Sequence, residues 1–277
     1  MEETAALVAL LRAGGRAWAR YIARTRRERG ARAVSALAVL EQELGLLAYD
    51  ALATAGEQIQ EWRARGYRLV SILDGDYPAN LSVVDGRPPL LFIVGTLSMD
   101  DRHSVSVIGT RRPTEEARRL AAAAAFELSK AGYVIFSGLA AGIDACAHRA
   151  VLERGGRTVA VIGSGLDHSY PPENAQLQDQ IARTGAVISQ FWPEDRPTPR
   201  SFPARNAVMS GLTLASVIVE ASPMSGTRVQ ARHALSQGRK LILMGPVMTQ
   251  TWARELAERP GVAVAKTIDE LLLALKR

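Results

Sequence analysis

The sequence contains a single cysteine, Cys146, which excludes an internal disulfide and suits a reducing compartment. No uninterrupted apolar run reaches membrane-spanning length, so no transmembrane helix and no membrane partner are expected. The start, Met1-Glu2-Glu3, is acidic and unlike a secretory leader, which sets the expectation of a cytoplasmic protein. Internal repeats and low-complexity tracts are missing. His103, His168 and His233 are scattered without metal-ligand spacing, so neither a metal site nor a cofactor is expected. There is no Walker A loop and no Gly-x-Ser-x-Gly elbow, which removes two common enzyme classes. Lysine is scarce, and arginine carries most of the positive charge.

What is present is ordinary folding material. The chain has 277 residues, 47% hydrophobic and 22% charged, enough for one main domain with a smaller companion. The formal net charge of +6 has two readings. A basic surface attracts polyanions through long-range attraction and counterion release; an arginine-rich proteome raises the charge of every protein. Charge alone leaves both open.

Residues 1–68 show helical apolar spacing (Val34, Leu37, Leu40, Leu44, Leu47) and no convincing strand. Gly14-Gly15, Gly30, Gly45 and Gly66 are the expected breaks of a small helical domain. From residue 69 the texture becomes extended, with Leu69–Leu73 and Leu90–Val94 on either side of a turn-rich stretch. Beyond Ser104, short apolar runs alternate with helical stretches: Val105–Ile108, Tyr133–Phe136, Thr158–Ile162, Ala186–Ser189, Ser216–Val219, Lys240–Met244 and Val262–Ala265. Helices are expected at Glu115–Lys130, Ile143–Glu153, Asn174–Arg183, Ala207–Leu212 and Thr227–Gln237. This is the pattern of an α/β, Rossmann-like, doubly wound and mostly parallel sheet over residues 69–277.

In such sheets ligands sit outside the carboxyl ends of the strands, beside helix N-termini with free N–H groups. The turns there are rich in small residues: Gly109-Thr110-Arg111-Arg112, Ser137-Gly138, Gly163-Ser164-Gly165 and Ser225-Gly226. Each can admit a phosphate, and Arg111 and Arg112 can fork around one. Each can equally serve tight turning and helix packing. Several on one rim suit a chain of phosphates better than a single nucleotide. Phe202, Arg205 and Asn206 add a stacking face, a cation and an amide; alternatively Phe202 is a core anchor and Arg205 a buried ion-pair partner of Glu220. Asp144 and His148, one helical turn apart, can hydrogen-bond, and this pair is read as structural rather than catalytic. Arg16, Arg20, Arg24 and Arg27 line one helix face, either simply solvated or a second contact stripe for DNA or a partner.

The motifs VIGTRRPT (107–114), SGLAAGIDACAHRAVL (137–152), GGRTVAVIGSGLDHSYPPEN (155–174), FPARNAVMSGL (202–212), VIVEAS (217–222) and SGTRVQARHALSQGR (225–239) together resemble the DprA/Smf family. The resemblance runs from about Tyr67 to Gly245. It implies an extended Rossmann fold, single-stranded DNA binding, a homodimer, handover of DNA to a RecA-type recombinase in natural transformation, and no established catalysis. By position it implies a DNA pocket of Gly109, Thr110, Arg111, Ser137, Gly138, Gly163, Gly165, Arg205 and Asn206, with Ser225 and Gly226 on the same rim. Asp144, His148, Asp167, Tyr170, Asn174 and Glu220 correspond to its polar framework.

The chain departs from the family at Pro172, which is basic in some members, and after Gly245-Pro246, where Val247–Trp252 replaces a Gly/Asn-rich stretch. No C-terminal winged helix is expected. Two other readings remain. A nucleotide sensor or nucleosidase-like protein shares the frame, but its Pro-Gly-Gly-x-Gly-Thr motif has only a faint echo at Ser225-Gly226-Thr227. A dinucleotide oxidoreductase lacks its Gly-x-Gly-x-x-Gly turn after the first strand.

Overall fold

The structure, a computed structural model, describes residues 2–27, 34–222 and 226–276. Its contacts divide the chain into two units, one running to Tyr77 and including Pro88–Leu91, the other holding Pro78–Arg87 and everything from Phe92 onward.

The smaller unit is helical: α1 (Glu2–Ala13), α2 (Gly15–Arg27), α3 (Ala36–Leu44) and α4 (Leu47–Ala64), followed by the short strand β1 (Arg68–Ser71). The breaks between helices fall at glycines for a backbone reason. Gly45 caps α3 at φ 55°, a left-handed conformation that costs a residue with a Cβ, and its N–H donates to Glu41 O. Gly30 lies outside the described residues. At the other end of α3, Ser35 accepts from Ala38 N, and Glu3 accepts from Ser35 Oγ and Ala36 N, both at 2.6 Å. On α2, Arg20 pairs with Glu43 at 2.7 Å and Arg24 donates to Gln42 Oε1 at 2.6 Å. Both side chains therefore reach toward α3; those of Arg16 and Arg27 lie outside the described residues.

The larger unit continues with α5 (Ala79–Ser82), β2 (Leu90–Gly95), β3 (Ser104–Ile108), α6 (Glu115–Lys130), β4 (Val134–Ser137), α7 (Ile143–Leu152), β5 (Thr158–Val161), α8 (Ala175–Thr184) and β6 (Ala186–Ser189). Then come α9 (Ser201–Leu212), β7 (Ala215–Ile218), α10 (Thr227–Ser236), β8 (Lys240–Met244), α11 (Thr251–Ala257), β9 (Val262–Ala265) and α12 (Ile268–Lys276). The strand order is β2-β6-β5-β4-β3-β7-β8-β9, with β1 next to β2. All the pairs from β6 to β9 are parallel; β2 runs antiparallel to β6. Strands β3 to β7 are buried along their whole length, as expected of a sheet covered on both faces.

Helix α6 shows why sequence and packing agree. Thr114 caps it by accepting from Ala117 N at 3.1 Å. Its inner face is Ala117, Ala121, Ala124, Ala125 and Leu128, small enough to lie close to α7 and the sheet, where Val105, Ile135, Val217 and Ile242 complete one core layer. Helix α9 starts earlier than expected, at Ser201 instead of Ala207. Pro203 does not prevent this, because a proline in the first helical turn forfeits only an N–H that has no intrahelical partner.

The chain winds outward from β3 in two directions, through β4 and β5 to β6 and then back across to β7, β8 and β9. The switch point therefore lies between β3 and β7, with the carboxyl ends of seven parallel strands along one rim.

Candidate functional site

The turn after β3 stands at the switch point. Thr110 N donates to Glu220 O, and Val219 N to Ile108 O, so this turn and the one after β7 are joined by their backbones. Arg111 and Arg112 extend from it into solvent. Beside them is a cavity of about 570 Å³ between Thr110, Arg111, Arg112, Phe202, Asn206 and Gly226. A second cavity, of about 240 Å³, adjoins it on the β4–β5 side and is shared by Arg111, Arg112, Phe202, Tyr170 and Gly163. Phe202 is held here by its neighbours. The Arg111 guanidinium lies 5.1 Å from its ring centroid, Arg205 6.0 Å, and the Tyr170 ring 5.5 Å, giving an aromatic ledge bordered by cations. It is neither a free stacking face nor a fully enclosed core anchor.

Arg205 sits beneath the ledge, 5% exposed. Its Nη1 donates to Gly138 O and to Val161 O (2.7 Å), and its Nε to Asn206 Oδ1 at 2.9 Å. The alternative pairing with Glu220 does not form. Both Glu220 oxygens instead take Thr114, from its N–H and its hydroxyl, each at 2.9 Å, at the N-terminus of α6. Arg205 is spent on carbonyls, and its electrostatic counterpart is Asp144.

Asp144, at the start of α7, accepts from the backbone N–H groups of Gly138, Ala140 and Gly109. Burial raises its pKa, and Arg205 and these donors pull the other way. The expected hydrogen bond between Asp144 and His148 is also absent. Thr158 Oγ1 donates to Ile135 O, so at 2.7 Å it accepts from His148 Nδ1, which fixes that tautomer. Burial lowers the His148 pKa to about 3, with Arg205 and Arg149 acting in the same direction, so the ring is neutral. Asn174 Nδ2 donates to Leu139 O at 2.9 Å, holding Leu139 at φ 56°, an uncommon conformation for a leucine. Tyr170 is 40% exposed and Asp167, whose N–H donates to Pro193 O, is exposed too.

The remaining small residues turn inward. Ser137 is fully buried and donates to Val107 O at 2.6 Å. A Cβ on Gly109 would lie 2.5 Å from Ile143 Cγ1, and one on Gly163 2.8 Å from Phe202 Cδ1. One on Gly138 would strike the Arg205 guanidinium, and one on Gly165 the carbonyls of Trp192 and Pro193. These four glycines admit parts of the protein itself. Gly226 is different: it is exposed, and nothing lies within 4 Å of an added Cβ. Ser225 lies outside the described residues. Among the described residues no group of three or more acidic, histidine or cysteine side chains is placed to hold a metal, and no helix is long and apolar enough to cross a membrane.

A doubly wound α/β sheet with an open, arginine-rimmed cleft at its switch point defines a Rossmann-like protein. The chain belongs to the family described as DNA recombination-mediator protein A, which matches residues 68–272. It is 40% identical over 182 residues to Protein Smf of Synechocystis sp., covering 64% of this chain and 45% of that protein. Against DNA processing protein DprA of Bacillus subtilis it is 35% identical over 181 residues, covering 65% and 61%. The match thus spans about half to three-fifths of these relatives' length. Among solved structures, DprA of Streptococcus pneumoniae superposes with a TM-score of 0.69 at 31% identity, over 81% of each chain. DprA of Helicobacter pylori, described for its single-stranded DNA binding mode, gives 0.67 at 28% identity, over 76% of this chain and 95% of that one.

Proposed function

We propose that this chain binds single-stranded DNA along the carboxyl rim of its sheet and serves as a recombination mediator without catalytic chemistry of its own. The observation that carries the reading is the cleft at the switch point, where two exposed guanidiniums stand over an aromatic ledge. Arg111 and Arg112 take phosphates, Tyr170 and Phe202 offer ring surface to bases, and Asn206 and Gly226 line the opposite wall. Arg205 and Asp144 hold the turns in register from below. The named function of the relatives supports the same assignment.

The finer parts of the reading are that the protein acts in the cytoplasm as a homodimer and hands the strand to a RecA-type recombinase. Phosphate-dominated binding is expected to be independent of base sequence and to weaken with salt, log affinity falling by about 0.7 per phosphate for each unit of log salt. The test is a titration of single- and double-stranded DNA across salt, with wild type and Arg111→Ala. The variant is expected to lose affinity for all sequences alike and to show a shallower slope. A wild-type slope near zero, or saturable thermal stabilisation by one mononucleotide without strand binding, overturns the reading in favour of a nucleotide sensor.

A further inference from the structure

A third cavity, of about 920 Å³, lies on the far side of the switch point, over the carboxyl ends of β7 and β8. Arg112, Arg119 and Lys266 stand around it. Arg112 lines all three cavities, and Thr110 and Ser222 are shared between this one and the 570 Å³ cleft. The openings are therefore neighbours along one furrow, from Gly163 and Tyr170 after β5 to Lys266 after β9. Five strand-to-strand steps separate those ends, about 24 Å at the usual spacing. That length is far beyond one phosphate and suits several nucleotides of an extended strand.

We infer that the strand track continues past the switch point into this third cavity, where Arg119 and Lys266 hold further phosphates of the same strand. This rests on the reading of the rim as a single-strand site. Two carboxylates, Glu116 and Glu220, also line the cavity, against three cations. Glu220 is already occupied, with both oxygens on Thr114. Arg119 Nε is 3.8 Å from Glu115 on the helix surface, with both side chains mostly exposed, a weak pairing that a phosphate can replace. Lys266 is exposed. The outer wall is made by Pro246, Thr249 and Gln250.

The experiment is a salt titration with an oligothymidine of about twelve nucleotides, comparing wild type, Arg111→Ala and the double variant Arg119→Ala/Lys266→Ala. Arg183→Ala, at an exposed arginine in the last turn of α8 and away from the carboxyl rim, is the control for general surface charge. The double variant is expected to make the salt slope shallower by about 1.4, at about 0.7 per phosphate lost, while Arg183→Ala leaves it unchanged. Wild type and Arg111→Ala behaving as proposed, with the double variant at the wild-type slope, overturns the extended track alone. An equal change in the control also overturns it. So does thermal stabilisation by dTMP that the double variant abolishes while strand binding is kept, since the cavity then takes a free nucleotide. Failure of wild type to bind the strand overturns the underlying reading as well.

Discussion

The two halves of the rim use similar residues for opposite ends. On the β4–β5 side Gly138 faces the Arg205 guanidinium, Gly163 the Phe202 ring and Gly165 the Trp192 and Pro193 carbonyls. At the switch point Arg111 and Arg112 stand in solvent, and Gly226 has open space around it. A small residue in a βα turn is thus explained by whatever would meet its missing side chain. On the β4–β5 side that is the protein, which stiffens the turns; at the switch point Gly109 still packs against Ile143, while Gly226 faces solvent, where a ligand can enter.

The comparison is broken most severely by removing Arg205. Arg205→Ala leaves the Gly138 and Val161 carbonyls without their donor and Asp144 without its counter-charge, and it is expected to cost about 3–5 kcal/mol in urea unfolding. Arg111→Ala, by contrast, is expected to change stability by under about 0.5 kcal/mol and to act on DNA affinity alone. Equal stability losses in the two variants would erase the distinction between the halves. Next in size is Gly165→Ala, expected to lower stability by on the order of 3 kcal/mol through overpacking against backbone. Gly226→Ala, at φ −60°, should stay within about 0.5 kcal/mol of wild type. Thermal melts of the pair check this.

A smaller effect sharpens the picture of the packed half. Because burial depresses the His148 pKa to about 3, the unfolded chain takes up a proton near the ordinary value of 6.5 while the folded chain does not. The neutral ring's contribution is complete above about 6.5 and is lost progressively as pH falls toward 3. Between pH 8 and pH 5 this amounts to about 2 kcal/mol. Asp144, with its pKa raised, works in the opposite sense, favouring the folded state as it protonates. Unfolding curves of wild type and His148→Gln isolate the histidine: the difference between them should shrink as pH falls, and parallel curves would refute the assignment.

The strands were legible because a sheet buried on both faces writes itself as short apolar runs. Ala186–Ser189, Lys240–Met244 and Val262–Ala265 match residue for residue, the other runs beyond Ser104 shift by one, and Leu69–Leu73 ends two residues late. The start of α9 was hidden because Ser201-Phe202-Pro203 reads as a breaker until its place in the first turn is known. The site was legible as a set of turns, since strand ends determine where loops gather. Which turns were open was not, because Phe202 and Trp192-Pro193 close over Gly163 and Gly165 from distant parts of the chain. Arg119 and Lys266 were missed for another reason. The rule that pointed to the turns after β3, β4, β5 and β7 applies equally after β8 and β9, where Gly245 and Lys266 stand, and Arg119 lies about one turn into α6, beyond the turn that the rule marks.

Glu220 on the N-terminus of α6 and Asp144 at the start of α7 have a further consequence. The N-termini of α6 and α7 are turned toward the protein's own carboxylates, which leaves them less receptive to an outside anion than that of α10, whose first residues Gly226 and Thr227 line the cleft. The cations that reach solvent beside those turns, Arg111 and Arg112, are long, swivelling side chains, which tolerate uneven distances between successive charges. Under the proposed function, such cations suit a limp polymer sliding past them better than one small rigid anion.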